Sequence, residues 1–300
     1  MIEDTGHSGT IQLRRPLILD LLTLTKPELT LLSVVTALGG AYLASVTTAH
    51  PSALLHTFLG TLLVGGGAGT LNQYVERNFD ALMRRTENRP VPSGRVNGRT
   101  ALLFGLALSI GGVTHLALFT HPLAAFLAVA TLVSYLFLYT PLKRVTPFAT
   151  VVGGIPGALP PLIGWAAVSG ELTMGAWSLF FILFFWQMPH FLSLGWMYRK
   201  DYARAEYRLL TVVDPTGEVA SRQILIYSIA LIPASAMPTM VGTLGLLYFV
   251  GSLLLSVTLL QFAIRLYRDR SNVNARKLFI GSLLYLSLLM GLMIVDRVVG

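Results

Sequence analysis

Nine long apolar stretches recur along the chain, and they constrain its fold more than any other feature of the sequence. Each is close to the roughly 20 residues that a helix needs to cross the hydrocarbon core of a bilayer. The stretches cover residues 28–48, 55–76, 100–119, 123–141, 148–168, 174–197, 223–242, 244–265 and 277–296. Backbone polar groups find no water inside a bilayer, so spanning segments of this kind must be helical. The sequence therefore predicts an all-α, polytopic membrane protein with about nine transmembrane helices.

The prolines, the glycines and the N-terminal residues add local detail. Only a short break near Gly242 and Thr243 separates the seventh and eighth stretches. The fifth stretch contains "IPGALPPLIGW" at 155–165, in which the prolines favour a broken helix.

Residues 1–15 show no apolar core and no small-residue cleavage site, and residues 1–27 are interpreted as a cytoplasmic N-terminal tail. We expect residues 1–300 to form a single transmembrane domain.

The basic residues mark one side of the membrane. Of 22 lysine and arginine residues, 21 fall before the first stretch or in the even-numbered connections, and only Arg297 lies elsewhere. Positive residues stay on the cytoplasmic side, which predicts a cytoplasmic N-terminus and an extracytoplasmic C-terminus. The connections near residues 49–51, His121 and Gly170 are then extracytoplasmic. The net charge of +8 thus reflects membrane topology and does not indicate a nucleic-acid partner. Separately, the absence of cysteine excludes disulfides and thiolate metal sites.

One cytoplasmic connection holds acids as well as arginines. It reads "NQYVERNFDALMRRTENRPVPSGR" over residues 72–95. Asn72, Glu76 and Asp80 follow one another at intervals of four, which places them along one face of a helix. Three oxygen ligands at the membrane boundary suit a hard cation such as Mg²⁺, which takes carboxylates together with substrate phosphates. The arginines behind them suit phosphate oxygens.

A plainer interpretation of these acids stays open at this point. Asp80 lies four residues before Arg84, and Glu76 is next to Arg77, so the acids also fit a salt-bridged helix end that serves topology alone. The spacing by itself does not separate a metal site from such ion pairs.

The longer string resembles the first signature of the UbiA superfamily of intramembrane prenyltransferases. That signature continues with Met-x-Arg-Thr and Arg-Pro-x-Pro, which match Met83, residues 85–86 and residues 89–92. The "YTPLKR" at 139–144 is similar to the family's second cytoplasmic element. The resemblance covers the chain from about Lys26 to the last apolar stretch. It implies nine helices around a central cavity with cytoplasmic caps.

The resemblance also implies the residues of the site. They are Asn72, Glu76, Asp80 and Tyr139 as catalytic residues, Arg85, Arg89, Lys143, Arg144 and Lys200 for a diphosphate, and Asn72, Glu76, Asp80 and Asp201 for Mg²⁺. Two positions depart from the family pattern. Most members carry a second Asp-x3-Asp motif, of which only Asp201 is present here because Met197 stands in place of the first acid. Glu206 stands where glycine is usual in the branch of the family that residues 184–214 resemble.

The stretch "FFWQMPHFLSLGWMYRKDYARAEYRLLTVVD" at 184–214 resembles the haem-farnesylating branch and differs from the quinone and chlorophyll branches. Pro189 predicts a kink with a pocket beside His190. The resemblance implies that His190 and Trp186 contact haem. The alternative for His190 is a packing role, with a hydrogen bond to a backbone carbonyl. Trp186, Tyr139 and Trp165 are also candidates to stabilise an allylic cation.

The implied reaction is the transfer of a farnesyl group from farnesyl diphosphate to a vinyl group of haem b, with Mg²⁺ and release of diphosphate. Two alternatives remain: a UbiA-type transferase with an aromatic or quinone acceptor, and a secondary transporter, which would hold its charges nearer the membrane midplane. Expected partners are the two substrates and the lipid bilayer, with haem A synthase or a terminal oxidase assembly as further candidates. The lack of a transit-like leader favours a bacterial inner (plasma) membrane.

Overall fold

A computed structural model describes residues 16–45 and 51–299 of the chain. All regular structure in these residues is helical, and nine segments are long and apolar enough to cross a membrane. The helices are α1 (Leu17–Leu24), α2 (Pro27–Ala44), α3 (Pro51–Asp80), α4 (Gly98–Phe119), α5 (Pro122–Val133), α6 (Thr140–Leu142), α7 (Ala149–Ala158), α8 (Pro160–Ser169), α9 (Met174–Met197), α10 (Arg199–Arg204), α11 (Leu210–Val213), α12 (Glu218–Met240), α13 (Leu246–Arg268) and α14 (Asn272–Val299). The predicted fold class is confirmed.

The fourth and fifth spans are interrupted helices. In the fourth span, α5 passes into a π-helical segment, Ser134–Tyr139, before α6 begins. In the fifth span, α7 ends at Ala158 and α8 begins at Pro160, so the predicted break occurs in the proline-rich stretch. The weakest predicted boundary is also present, because α12 and α13 are separate helices with Gly242 between them in a left-handed turn (φ +73°).

The connections segregate to two ends of the bundle. At one end the backbone N–H of Arg208 donates to the carbonyl oxygen of Lys143 (2.8 Å), and Arg199 Nη1 donates to Asn272 Oδ1 (2.9 Å). These bonds join the fourth, sixth and eighth connections. At the other end Arg297 Nη2 donates to the carbonyl oxygen of Ser45 (2.7 Å). The grouping matches the distribution of basic residues, and the end that holds Lys26 and the even-numbered connections is called the charged end below.

The last part of the expected N-terminal tail is an integral part of the bundle. Helix α1 exposes the apolar side chains of Leu17, Ile18 and Leu22. Its one acid, Asp20, is buried instead and pairs with Arg95 of the second connection (3.1 Å). The helix therefore has an apolar outer side and a polar contact with the charged end.

The end of α1 is also fastened to α3. Gln73 Nε2 donates to the carbonyl oxygen of Leu24 (3.0 Å), the last residue of α1. Residues 17–24 of the expected tail thus form a helix packed on the bundle. Residues 1–15 lie outside the described part of the chain, as do residues 46–50 of the first connection.

Candidate active site

The three predicted oxygen ligands lie on one face of α3 where that helix reaches the charged end. Asn72, Glu76 and Asp80 are all buried, with exposed fractions of 1%, 6% and 1%. Their spacing of four residues on a continuous helix produces this alignment, as the sequence predicts. Buried carboxylates are costly unless they are paired, so each needs a partner at this depth.

Each ligand meets a different basic side chain. The three contacts run from Lys26 Nζ to Asn72 Oδ1 (2.7 Å), from Lys143 Nζ to Glu76 Oε1 (2.6 Å), and from Arg89 Nη1 to Asp80 Oδ2 (2.7 Å). In every contact the basic group donates and the oxygen of the α3 residue accepts.

The plainer interpretation therefore named the wrong partners for the two acids. Asp80 pairs with Arg89 and not with Arg84, while Glu76 pairs with Lys143 and not with Arg77. The Glu76 pair joins α3 to the fourth connection, 67 positions away, whereas Arg89 lies nine positions after Asp80 in the connection that follows α3.

Two of these basic residues, Lys26 and Lys143, lie on irregular backbone. Lys26 adopts a left-handed conformation (φ 48°) between α1 and α2, and Pro27 follows it as the first residue of α2. Lys143 follows α6, which comes directly after the π-helical segment. A π-helical segment has a wider turn and is frequent at functional sites.

Three further polar residues complete the cluster, and sequence reasoning missed all of them as site residues. They are Lys26, Thr140 and Tyr207. The hydroxyl of Tyr207 donates to Glu76 Oε1 (3.1 Å), and Asn72 Nδ2 donates to Thr140 Oγ1 (3.3 Å). Thr140 lies within the recognised "YTPLKR" element, but Lys26 and Tyr207 carry no signal beyond their positions near a span.

The cluster shifts the protonation of its cations in opposite directions. Burial, together with the nearby Arg89, lowers the pKa of Lys26 to about 7. Burial acts the same way on Lys143, but the adjacent Glu76 carboxylate outweighs it and holds the pKa of Lys143 well above its usual range. Burial and Glu76 also raise the pKa of Tyr207, so its hydroxyl stays protonated and donates.

The other predicted basic residues surround this cluster with looser contacts. Arg85 lies over the rings of Tyr198 and Tyr202, at 5.0 and 5.7 Å from their centroids, and donates to the Tyr202 hydroxyl (3.2 Å). Arg144 lies over the Phe79 ring at 4.1 Å. Lys200 is exposed on α10. Unlike Arg89 and Lys143, these three residues do not pair with a predicted oxygen ligand in the structure.

Asp201 is placed apart from a carboxylate cluster. It accepts a hydrogen bond from Arg204 Nη1 (3.1 Å) on its own short helix, α10. Within residues 16–45 and 51–299, no group of three or more acidic or histidine side chains is arranged to hold a metal ion. The donor set on α3 is two carboxylates and one amide oxygen, all hard ligands, which fits Mg²⁺ completed by water and substrate phosphate oxygens.

The aromatic candidates lie at different depths. The Tyr139 ring is at the charged end, with Lys143 Nζ 4.6 Å from its centroid. Trp165 lies beside Gly175, at the start of α9 and therefore toward the opposite end. This position separates Trp165 from the diphosphate-binding candidates and argues against a role for it beside the leaving group.

His190 is packed between aromatic rings. It stacks on Trp186 and on Phe279, with ring centroids 5.0 and 4.6 Å away, and its Nδ1 lies 2.8 Å from Ser282 Oγ. Helix α9 continues through Pro189, and Phe279 fills one side of the ring where a pocket was expected. The packing alternative is correct about burial but wrong about the partner, which is a serine side chain and not a backbone carbonyl.

A small apolar pocket lies deeper in the bundle. Residues of α2, α8, α9 and α14 line it, including Thr36, Pro161, Leu183 and Met290, and its cavity volume is about 10 Å³. Ligand sites usually enclose about 300–1,000 Å³. The pocket is apolar, but in this conformation it is too small to hold a prenyl chain.

The fold and the polar cluster define an intramembrane prenyltransferase. The UbiA prenyltransferase family model matches residues 33–289, and the chain belongs to this family. Among solved structures, the chain is similar to one described for digeranylgeranylglyceryl phosphate synthase, with a TM-score of 0.78, 16% identity, and 93% and 98% of the two chains covered. It is also similar to a UbiA homolog from Archaeoglobus fulgidus bound to GPP and Mg²⁺, with a TM-score of 0.64, 15% identity, and 91% and 99% covered.

The sequence comparisons give a narrower relationship. The chain is 48% identical to the protoheme IX farnesyltransferase of Solibacter usitatus, over 93% of this chain and 98% of that protein. It is 42% identical to the protoheme IX farnesyltransferase of Opitutus terrae, over 93% of this chain and 94% of that protein. The relatives therefore match along nearly their whole length.

Proposed function

We propose that this integral membrane enzyme transfers a farnesyl group from farnesyl diphosphate to a vinyl group of haem b. The bond between C1 of the farnesyl group and the diphosphate oxygen breaks, and diphosphate leaves. The terminal vinyl carbon then bonds to C1, and the adjacent carbon, now cationic, takes a hydroxyl from water as one proton is released. The product is haem b carrying a hydroxyethylfarnesyl side chain.

One observation carries the proposal. Three oxygen ligands of α3 meet three basic side chains, two of them from distant segments, at one end of an apolar bundle, in a chain 48% identical to a protoheme IX farnesyltransferase. The charges crowd that end and not the midplane, which disfavours the transporter alternative.

Asn72, Glu76 and Asp80 would hold Mg²⁺, and Asp201 would join them as a further ligand only after its contact with Arg204 breaks. The bound ion supplies positive charge that favours departure of the diphosphate. Support comes from the hard oxygen donors on α3 and from the Mg²⁺ named with a solved relative of this fold.

The basic residues bind and neutralise the leaving diphosphate. Arg89 and Lys143 contact carboxylates through single side-chain bonds, which leaves their flexible side chains able to turn toward phosphate oxygens. Lys26 joins them as a third basic group of the inner cluster. Arg85, Arg144 and Lys200 form the outer group, and fixed cations at a developing negative charge lower the barrier to its formation.

Tyr139 stabilises the farnesyl cation as it forms. Its ring already accommodates the positive charge of Lys143 at 4.6 Å, which is the arrangement of a cation–π contact. His190 and Trp186 contact the haem, one helical turn apart on α9. Haem b at these residues would lie deeper in the bundle than the diphosphate. The farnesyl chain could then extend from the charged end into the apolar bundle.

The charged end faces the cytoplasm of a bacterial cell, with the chain in the inner (plasma) membrane. A cysteine at Glu171 tests the orientation against a cysteine at Asn88, because the chain has no cysteine of its own and both positions are exposed. An impermeant thiol reagent applied outside should label only Glu171→Cys. Labelling of only Asn88→Cys overturns the orientation. Association with haem A synthase or a terminal oxidase assembly stays a prediction.

The reaction is tested with purified protein, haem b, farnesyl diphosphate and Mg²⁺, followed by mass spectrometry. The expected product has the mass of haem b plus one farnesyl group and one hydroxyl group. An aromatic quinone precursor replaces haem b in a parallel reaction. A prenylated quinone precursor with unchanged haem b contradicts the proposal and favours the alternative acceptor.

A further inference from the structure

The hydroxyl of Ser282 on α14 has two neighbours that constrain its single hydrogen. Ser282 Oγ lies 2.6 Å from the carbonyl oxygen of Phe279 and 2.8 Å from Nδ1 of His190. A carbonyl oxygen only accepts hydrogen bonds, and a serine hydroxyl has one hydrogen to donate. Two oxygens at 2.6 Å with no hydrogen between them would repel each other. The Ser282 hydrogen therefore lies toward Phe279.

This assignment fixes the tautomer of His190. Because the Ser282 hydrogen is already used, its oxygen accepts from His190, and Nδ1 must carry a hydrogen. In a neutral imidazole with Nδ1 protonated, Nε2 holds a free lone pair. Within the described part of the chain, Nε2 makes no hydrogen bond. It is also not fully buried, because it is absent from the fully buried side-chain atoms that lack a partner.

Ser282 also fixes the aromatic neighbour of His190. Trp186 Nε1 donates to the backbone carbonyl oxygen of Ser282 (2.7 Å). The same residue of α14 thus holds both haem-contact candidates of α9, one through its side chain and one through its backbone. The stacked rings of Trp186 and Phe279 leave the imidazole little freedom to turn about the bond to Ser282.

We propose that Ser282 is a positioning residue, which holds His190 as the Nδ1–H tautomer so that Nε2 ligates the iron of the haem substrate. The proposal rests on the proposed function for the identity of the ligand. Imidazoles that bind metals usually donate their other N–H to a fixed acceptor, which sets the tautomer and the orientation of the ring. The Ser282 oxygen supplies that acceptor here.

The tautomer is tested first, without any substrate. The protein is labelled with ¹⁵N-histidine, and its ring-nitrogen signals are recorded by NMR, with His190→Ala to assign the signals of His190. Wild type should show a protonated Nδ1 and an unprotonated Nε2. Ser282→Ala should shift the signals toward the other tautomer, while Ser282→Thr, which retains a hydroxyl, should restore them. A protonated Nε2 in wild type overturns the inference whatever the enzyme's substrate is.

Haem b binding is tested second, by spectroscopic titration of the same variants. Ser282→Ala should weaken haem binding on the order of 10-fold and change the haem absorption spectrum, with farnesyl diphosphate affinity unchanged. Ser228→Ala is the matched control, since Ser228 is equally buried but bonds only to the carbonyl oxygen of Ile224. Unchanged haem affinity and spectrum in Ser282→Ala overturn the positioning role.

The two tests separate failure of the inference from failure of the proposed function. If wild type shows the expected tautomer but does not bind or farnesylate haem b, the proposed function and the iron-ligation part of the inference are both wrong. If haem b is farnesylated but the tautomer is the other one, only the Ser282 inference is wrong.

Discussion

Buried carboxylates occur at both ends of the bundle, but they are satisfied in different ways. At the charged end, Glu76 and Asp80 accept hydrogen bonds from the side chains of Lys143 and Arg89. At the opposite end, Asp296 accepts hydrogen bonds from the backbone N–H groups of Gly245 and Tyr248, at 2.5 and 2.9 Å. These N–H groups lie at the N-terminus of α13, where a helix has unpaired donors and a partial positive charge.

The difference separates the proposed binding site from a structural anchor. Backbone donors at a helix terminus cannot turn away without disturbing the helix, so Asp296 is tied to the fold. Side-chain cations can rotate to a new anion while the helices stay in place. The carboxylates of α3 are therefore able to exchange partners in the way that the proposed binding of a metal ion and a diphosphate requires, and Asp296 is not.

The largest expected effect is on turnover at the charged end. Asp80→Ala should lower turnover on the order of 10³-fold or more, because it removes a proposed metal ligand and frees Arg89 from its position. The fold should survive, since the Arg89 side chain is 25% exposed and water can solvate it. Steady-state kinetics and a thermal melt measure the two effects, and a chelator should reproduce the kinetic loss in wild type. Near-normal turnover in Asp80→Ala would show that the metal assignment is wrong.

The matched change at the other end should have the opposite pattern. Asp296→Asn replaces one carboxylate oxygen with an amide that cannot accept from a backbone N–H. It should lower the free energy of unfolding by about 2 kcal/mol, with turnover per folded molecule preserved. Thermal melting in detergent, combined with activity normalised to folded protein, measures this. A loss of turnover without a loss of stability would remove the distinction between the two ends.

A third effect compares two lysines within the charged end. The pKa of Lys26 is about 7, whereas that of Lys143 is well above its usual range. Only an unprotonated amine reacts with an acylating reagent, so modification of Lys26 should rise as the pH increases through about 7, while Lys143 resists. Peptide mapping by mass spectrometry after brief acetylation at a series of pH values on either side of that pKa measures both, as the chain has only four lysines. Equal modification of Lys26 and Lys143 would contradict the assignment of the shifts.

The smallest expected effect concerns the backbone at Glu206, just after α10. Glu206, which stands where the branch usually has glycine, adopts a left-handed conformation (φ 57°). Glycine takes this conformation without strain, so Glu206→Gly should raise the free energy of unfolding by about 1 kcal/mol. Ala203→Gly, at an exposed position inside α10, is the control and should lower it by about as much. A destabilised Glu206→Gly variant would show that the carboxylate, and not the backbone, matters there.

The spans, their predicted sidedness and the line of oxygen ligands on α3 follow from the amino-acid sequence alone. Hydropathy and the positive-inside distribution are local properties, because each residue is placed by its own transfer free energy and by its neighbours. The spacing of Asn72, Glu76 and Asp80 needs only one helix to align them. The exposed apolar side of α1 is local too, but the segment is too short to span a bilayer, so the sequence indicated only a tail there.

Which groups meet those ligands depends on how the helices pack. Lys26, Lys143 and Tyr207 lie 46, 67 and 131 positions from their partners on α3, and no local pattern links residues so far apart. The same holds for His190, whose tautomer is set by Ser282 on another helix, 92 positions away. Packing of the helices brings these groups together, and burial then makes each partner necessary, because an unpaired charge or donor in the interior costs several kcal/mol.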